Sequence, residues 1–138
     1  MAFRIEELVP KQVYEDLGEE AWELVAKELK LSIMAIKLAF PEGTMTINNW
    51  VWGGNRQWSG LRTPDSPYYS KTSQHTLDFE DRVFRAIDAV FSHYETEEVR
   101  QYIIDNPEEF PFIKGIELDV SWLHIDTRER EKLLQFRA

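Results

Sequence analysis

Apolar positions change their spacing several times along this chain, and each change predicts an element. Pro10 can open a short helical turn over PKQVYEDL, which Gly18 closes. From Glu19 to about Phe40, the residues Trp22, Val25, Leu29, Ile33, Ile36, Leu38 and Phe40 recur at roughly helical intervals, which predicts one long amphipathic helix. Pro41-Glu42-Gly43 ends it, and Thr44 to Trp50 alternates like a half-buried strand. Gly53 to Gln74 is rich in Gly, Pro, Ser and Asn, and a loop of about 20 residues is uncommon enough to imply a functional segment. The stretch HTLDFEDRVFRAIDAVF fits two patterns: Phe79, Val83, Ile87, Val90 and Phe91 make a helix face, while Arg85 to Phe91 alternates as a strand. Thr96 is a good N-cap for a helix over residues 97–104, with acidic residues in its first turn and a stop near Asn106-Pro107. Finally Ile116 to Ile125 reads as one strand that places Leu118, Val120, Trp122 and His124 on a single face, continued by Asp126. Helices and strands in separate blocks predict an α+β fold with an antiparallel sheet.

Composition narrows what such a fold can do. The 138 residues make one domain with room for a real core. A net charge of −9 argues against nucleic acid, whose binding rests on clustered Lys and Arg. There is no cysteine, so disulfides and thiolate metal sites are excluded, and a metal ion must be held by His, Asp or Glu. MAFRIEEL has neither the basic nor the apolar part of a secretory signal, and no run approaches the roughly 20 apolar residues of a membrane span. The expectation is a cytosolic chain without membrane insertion.

The candidate chemistry centres on histidine. His124 lies within the strand-like SWLHIDTR, where a lone imidazole on an apolar face is most often a hydrogen-bonded core residue. His75, however, closes the long polar loop just ahead of Asp78, Asp81 and Asp88. Two imidazoles and a carboxylate leave a fourth position open, which is what a catalytic zinc needs.

The segments NNWVWGGNRQWSGLR, SQHT, RAIDAVF and SWLHIDTR resemble the zinc D-alanyl-D-alanine carboxypeptidase and L-alanyl-D-glutamate endopeptidase family, in particular its small phage-encoded members. FRIEELVP, EEVRQYI, NPEEFP and IELDVSWLH extend the resemblance over nearly the whole chain. It implies a single α+β domain of the Hedgehog/DD-peptidase type, with helices packed on a small antiparallel sheet. It also implies a zinc ion and bacterial cell-wall peptidoglycan peptides as substrate, in the host bacterial cytoplasm or in the virion. By the resemblance His75, Asp88 and His124 are the zinc ligands, and Arg62 contacts substrate and the developing oxyanion, a role suited to a permanently charged planar donor. Trp50, Trp52 and Tyr69, with Trp58 and Tyr68, are expected to line a substrate groove, to anchor an interface, or only to pack the loop.

Two departures from the family pattern matter. The residue seven after His75 is Arg82 rather than aspartate, so Asp88 is reached by an insertion of about six residues, with Asp81 and Asp78 as fallback ligands. The general-base glutamate three residues before the second histidine is here Ser121, a hydroxyl that cannot act as a base near neutral pH. Asp126 is the first substitute, although orienting a ligand or pairing with Arg128 suits it better. Glu117 and Asp119 are nearby acids of unknown sidedness. The sequence therefore leads to a peptidase-like zinc domain with reduced or lost activity. The alternative is a non-catalytic phage virion component that uses the same fold to bind cell wall or other virion proteins.

Overall fold

The computed structural model describes residues 3–137. It is an α+β fold of three α-helices, α1 (Lys11–Leu17), α2 (Lys27–Ala39) and α3 (Thr96–Asp105). Five short strands complete it: β1 (Met45–Thr46), β2 (Ala86–Phe91), β3 (Gly115–Glu117), β4 (Leu123–Asp126) and β5 (Leu134–Phe136). The strands form one sheet in the order β1-β2-β4-β3-β5, antiparallel except for the β3–β5 edge. No helix among the described residues is long and apolar enough to cross a membrane.

Cross-strand register gives each face of the sheet its chemistry. Ile87 stands opposite Ile125, which stands opposite Ile116, and all three are fully buried in the core with Leu29, Ile33 and Ile36 of α2 and Val99 and Ile103 of α3. Because strand side chains alternate, the intervening residues point the other way. Asp88 pairs with His124, and Ala86 with Asp126 and Asp126 with Gly115. This second face lies beneath the long loop.

Several predicted elements end earlier than the hydrophobic pattern implies. The helix expected from Glu19 to Phe40 is interrupted: Gly18–Leu24 is a 3-10 stretch, and α2 begins only at Lys27. Between them Val25 bridges Phe84 in parallel, with Phe84 N–H donating to Leu24 O (2.9 Å) and Ala26 N–H to Phe84 O (3.1 Å). Those backbone groups serve the loop's return instead of a helix, and the fully buried Phe84 ring is what the bridge brings into the core. The strand expected over Thr44 to Trp50 keeps only two residues, because Asn48 turns its side chain to the backbone of Val9 and Ser59 and Trp50 starts a 3-10 turn.

The strand expected over Ile116 to Ile125 is two strands, antiparallel to one another. Between them Asp119 adopts φ 62°, a left-handed conformation that aspartate tolerates better than most residues. Arg100 of α3, 1 % exposed, donates to the carbonyls of Val120 (2.8 Å) and Trp122 (2.7 Å) and so holds the bend. Thr96 is the first residue of α3 and not its cap; its hydroxyl donates to Ser121 O at 3.0 Å. Of the two patterns open to residues 85–91 the strand is the one formed, over Ala86–Phe91, and α1 runs to its stop at Gly18, φ 58°.

Candidate metal centre

Asp88, His124 and Asp126 reach the site from adjacent strands, β2 and β4, while His75 arrives from the loop. The loop is drawn in by backbone bonds from Leu61 N–H to Leu8 O (2.9 Å), Arg62 N–H to His75 O (2.8 Å) and Asp88 N–H to Ser59 O (2.7 Å). At Gly60 a Cβ would lie 2.1 Å from the Leu8 carbonyl oxygen, so only glycine permits this approach. The Gly60 carbonyl is thereby aimed at the His75 ring, 2.8 Å from Nδ1.

Hydrogen-bond partners then assign the tautomers. A carbonyl only accepts, so His75 Nδ1 carries the hydrogen and the lone pair of neutral His75 is on Nε2. Burial pushes the His75 imidazole below its usual range and keeps it neutral, outweighing the nearby Asp88 charge. Its Nε2 lies 3.3 Å from Asp88 Oδ1. Two acceptors facing each other at that distance repel unless a proton or cation lies between them.

His124 faces the same oxygen from the other side. Its Nδ1 is 3.0 Å from Asp88 Oδ1, and its Nε2 is 2.9 Å from Asp126 Oδ2. Burial works to lower this imidazole, but the hydrogen bonds to Asp126 and Asp88 prevail and raise it to about 9. Of the two histidines sharing Asp88, His124 therefore holds the proton. Burial alone would raise the Asp88 carboxyl, but the hydrogen bond from protonated His124, the largest of the opposing influences, holds it far below the ordinary carboxylate range. Asp126, likewise buried, is held at about 2 by Arg128 and His124.

The ligand atoms of His75, Asp88 and His124 lie within 4.8 Å of one another, and all three residues are buried, so the group can hold a metal ion. Each ring has its outer nitrogen tied to a fixed acceptor, the Gly60 carbonyl or the Asp126 carboxylate, and its inner nitrogen turned to Asp88. This is how metal-binding histidines are oriented. His75 Nε2 and His124 Nδ1 stand 3.3 and 3.0 Å from the same Asp88 oxygen, close enough together for one ion to meet all three residues.

Arg62 flanks the group, its Nη2 donating to Asp88 Oδ2 (3.0 Å) and its Nε to Trp58 O (2.8 Å), with its guanidinium 5.5 Å from the Tyr68 ring centre. All open onto a cavity of about 770 Å³ lined also by Trp122, Phe136, Arg56, Arg128 and Glu117. Of the aromatics expected to meet substrate, Trp50 packs on Tyr14 and donates to Val9 O, Trp52 is exposed, and neither they nor Tyr69 line this cavity. Trp58 and Tyr68 do. Asp78 and Asp81, the fallback ligands, are engaged with Arg85, Asp78 at 2.9 Å and Asp81 at 3.0 Å.

Asp126 has no exposed surface and does not line the cavity; it reaches the site through His124 and Arg128, both of which do. Its carboxylate has room because its neighbours across the sheet are Ala86 and Gly115. An added Cβ at Gly115 would lie 2.2 Å from Asp126 Oδ1. Gly115→Ala is therefore expected to cost about 1–3 kcal/mol of stability through overpacking and to weaken metal binding about 10–100-fold by turning His124. Urea unfolding and metal titration of the variant check both.

Ser121 lies in the bend between β3 and β4 and borders a separate hollow with Ser92, His93 and Thr96. It is absent from the metal-site cavity, so it carries no information about which group there accepts a proton. Comparison with protein-family models, with curated proteins and with solved structures finds no match for this chain.

Proposed function

We propose that the chain is a zinc-dependent hydrolase of peptide bonds, with cell-wall peptides as its substrate class. The observation that carries the reading is the convergence of the inner imidazole nitrogens of His75 and His124 on one Asp88 oxygen at the floor of a large open cavity. Two nitrogens and one carboxylate oxygen suit zinc, whereas magnesium and calcium favour oxygen alone. A zinc ion held there supplies Lewis acidity toward water and a carbonyl oxygen. The protein's own groups supply the rest. Arg62, anchored on Trp58 O and Asp88, presents a fixed guanidinium to the developing negative charge. Tyr68, Trp58 and Trp122 offer apolar and aromatic surface to a peptide. The cell-wall substrate rests on the resemblance of SQHT, RAIDAVF and SWLHIDTR to the peptidoglycan peptidases.

The non-catalytic virion reading is supported by a different surface. Leu31, Met34 and Leu38 form an exposed stripe along α2, with Leu38 81 % exposed. Such a patch suits packing against other proteins.

Titration of chelator-treated protein with zinc separates these readings. The expected result is one equivalent bound, a rise in Tm, and release of amino groups from muropeptides. At a hundredfold excess over Kd the stabilisation should be about 2.7 kcal/mol. His75→Ala should abolish all three effects. Zinc uptake without peptide hydrolysis would leave a metal-stabilised packing domain, and no uptake would overturn the metal centre.

A further inference from the structure

The pairing of β3 and β4 sets Ile116 opposite Ile125. Carried one residue further, that register sets Glu117 beside His124, on the face that bears Asp88. Phe136, its partner on β5, closes the other side and packs 5.5 Å from the His124 ring centre. Glu117 is only 9 % exposed and borders the cavity. Among the described residues no hydrogen bond or ion pair to its carboxylate is found, although its acidic neighbours all have partners: Asp88 has Arg62 and both histidines, Asp126 has Arg128, and Asp119 has Arg137. A nearly buried carboxylate is costly without compensation. The oxygens of Glu117 nevertheless stay accessible, since the side chain is not among those with enclosed, unpartnered polar atoms. Their open side is the cavity. Glu117 is also not one of the residues whose ligand atoms cluster within 4.8 Å. It stands beside the metal group without being part of it.

We propose that Glu117 is the catalytic acid–base of this site, accepting the proton of the attacking water and passing it to the leaving amine. The inference rests on the hydrolase reading above. The water oxygen bonds to the scissile carbonyl carbon while one of its protons moves to the Glu117 carboxylate. The carbon–nitrogen bond then breaks, the proton on Glu117 goes to the amine nitrogen, and a carboxylic acid and an amine leave. Placement on β3 means that the base comes from the strand neighbouring His124, so its position is set by sheet register and not by spacing along one element.

Glu117→Gln tests this with a shape-conserving change, and Glu117→Asp tests it with a retained but shortened acid. The probes are zinc, a muropeptide and acetohydroxamate, whose ionisable group gives up a proton on binding to a metal site. Expected for Glu117→Gln are unchanged zinc stoichiometry, a kcat lower by about 10²–10⁴-fold, and hydroxamate binding weakened about tenfold or more. Glu117→Asp should recover part of both losses, and Asp119→Asn, at the exposed acid two residues on, should behave as wild type. If the wild type hydrolyses peptide and Glu117→Gln keeps its kcat within threefold, the assignment is wrong while the hydrolase stands. If the wild type binds zinc but turns over no peptide, hydroxamate affinity decides: equal affinity in both proteins overturns the role of Glu117. Failure of the wild type to bind zinc overturns both.

Discussion

Asp126→Ala is expected to remove about 3–5 kcal/mol of stability, the scale for breaking a buried charge pair by deleting one partner. Asp126 has no solvent exposure, and its carboxylate receives Arg128 Nε and Nη2 at 2.6 Å each and His124 Nε2 at 2.9 Å. Removing it leaves an Arg128 side chain that is three-quarters buried and takes from His124 the acceptor that fixes its ring. Asp126→Asn separates charge from packing, since it fills the same space; most of the loss should remain. Equilibrium urea unfolding with an unchanged m-value measures the effect, and zinc affinity should drop about 10–100-fold in parallel. A loss below about 1 kcal/mol would show that Arg128 escapes to water when freed, so that the pair anchors the site without anchoring the fold.

What the sequence makes legible here follows from how local each cause is. α1 ends at Gly18 because that residue takes φ 58°, and α3 begins among acidic residues and stops before Pro107; these signals act over one helical turn. The break ahead of α2 has no local signal, since Leu24 and Ala26 leave the helix to bond Phe84, far along the chain. The division of Ile116 to Ile125 into β3 and β4 depends on Arg100 of α3 taking two carbonyls, which no period-two pattern can report. β5 carries no legible signal either, because its short, half-buried run shows too little alternation to stand out.

The site divides in the same way. His75, Asp88 and His124 can be put forward together from residue type and family resemblance, and the fold brings them together. Glu117 stays unassigned in the sequence because one extra strand boundary decides which way it faces. Tyr68 lines the cavity and Tyr69 does not, a choice set by the turn from Thr63 to Tyr69 and invisible in composition.

Without metal, the pH dependence of stability should carry the signature of His124. Its value in the folded protein, about 9, lies above the ordinary imidazole value of 6.5. The stabilisation from its contacts with Asp88 and Asp126 is therefore fully present below about pH 6.5, shrinks as pH climbs, and is lost once His124 deprotonates near pH 9. Each pH unit between the two values is worth about 1.4 kcal/mol, so the alkaline loss is about 3 kcal/mol. His75 acts in the opposite sense, because its lowered value makes its neutral form the stable one, so its contribution falls away as pH drops below about 6.5. Asp88 and Asp126, both held below ordinary carboxylate values, lose their contribution only at more acidic pH. In EDTA, urea midpoints should thus decline between about pH 6.5 and 9.5, and His124→Gln should flatten that decline. Saturating zinc should reverse it, since an ion held by His75, Asp88 and His124 would take the place of the proton on His124 Nδ1 and would bind more tightly as that proton becomes easier to displace. Zinc uptake at about pH 7.5 in weak buffer should accordingly release about one proton. A midpoint that stays level from about pH 6.5 to 9.5 in EDTA would mean that His124 is neutral throughout, and that its Nδ1 meets Asp88 without the charge these contacts require.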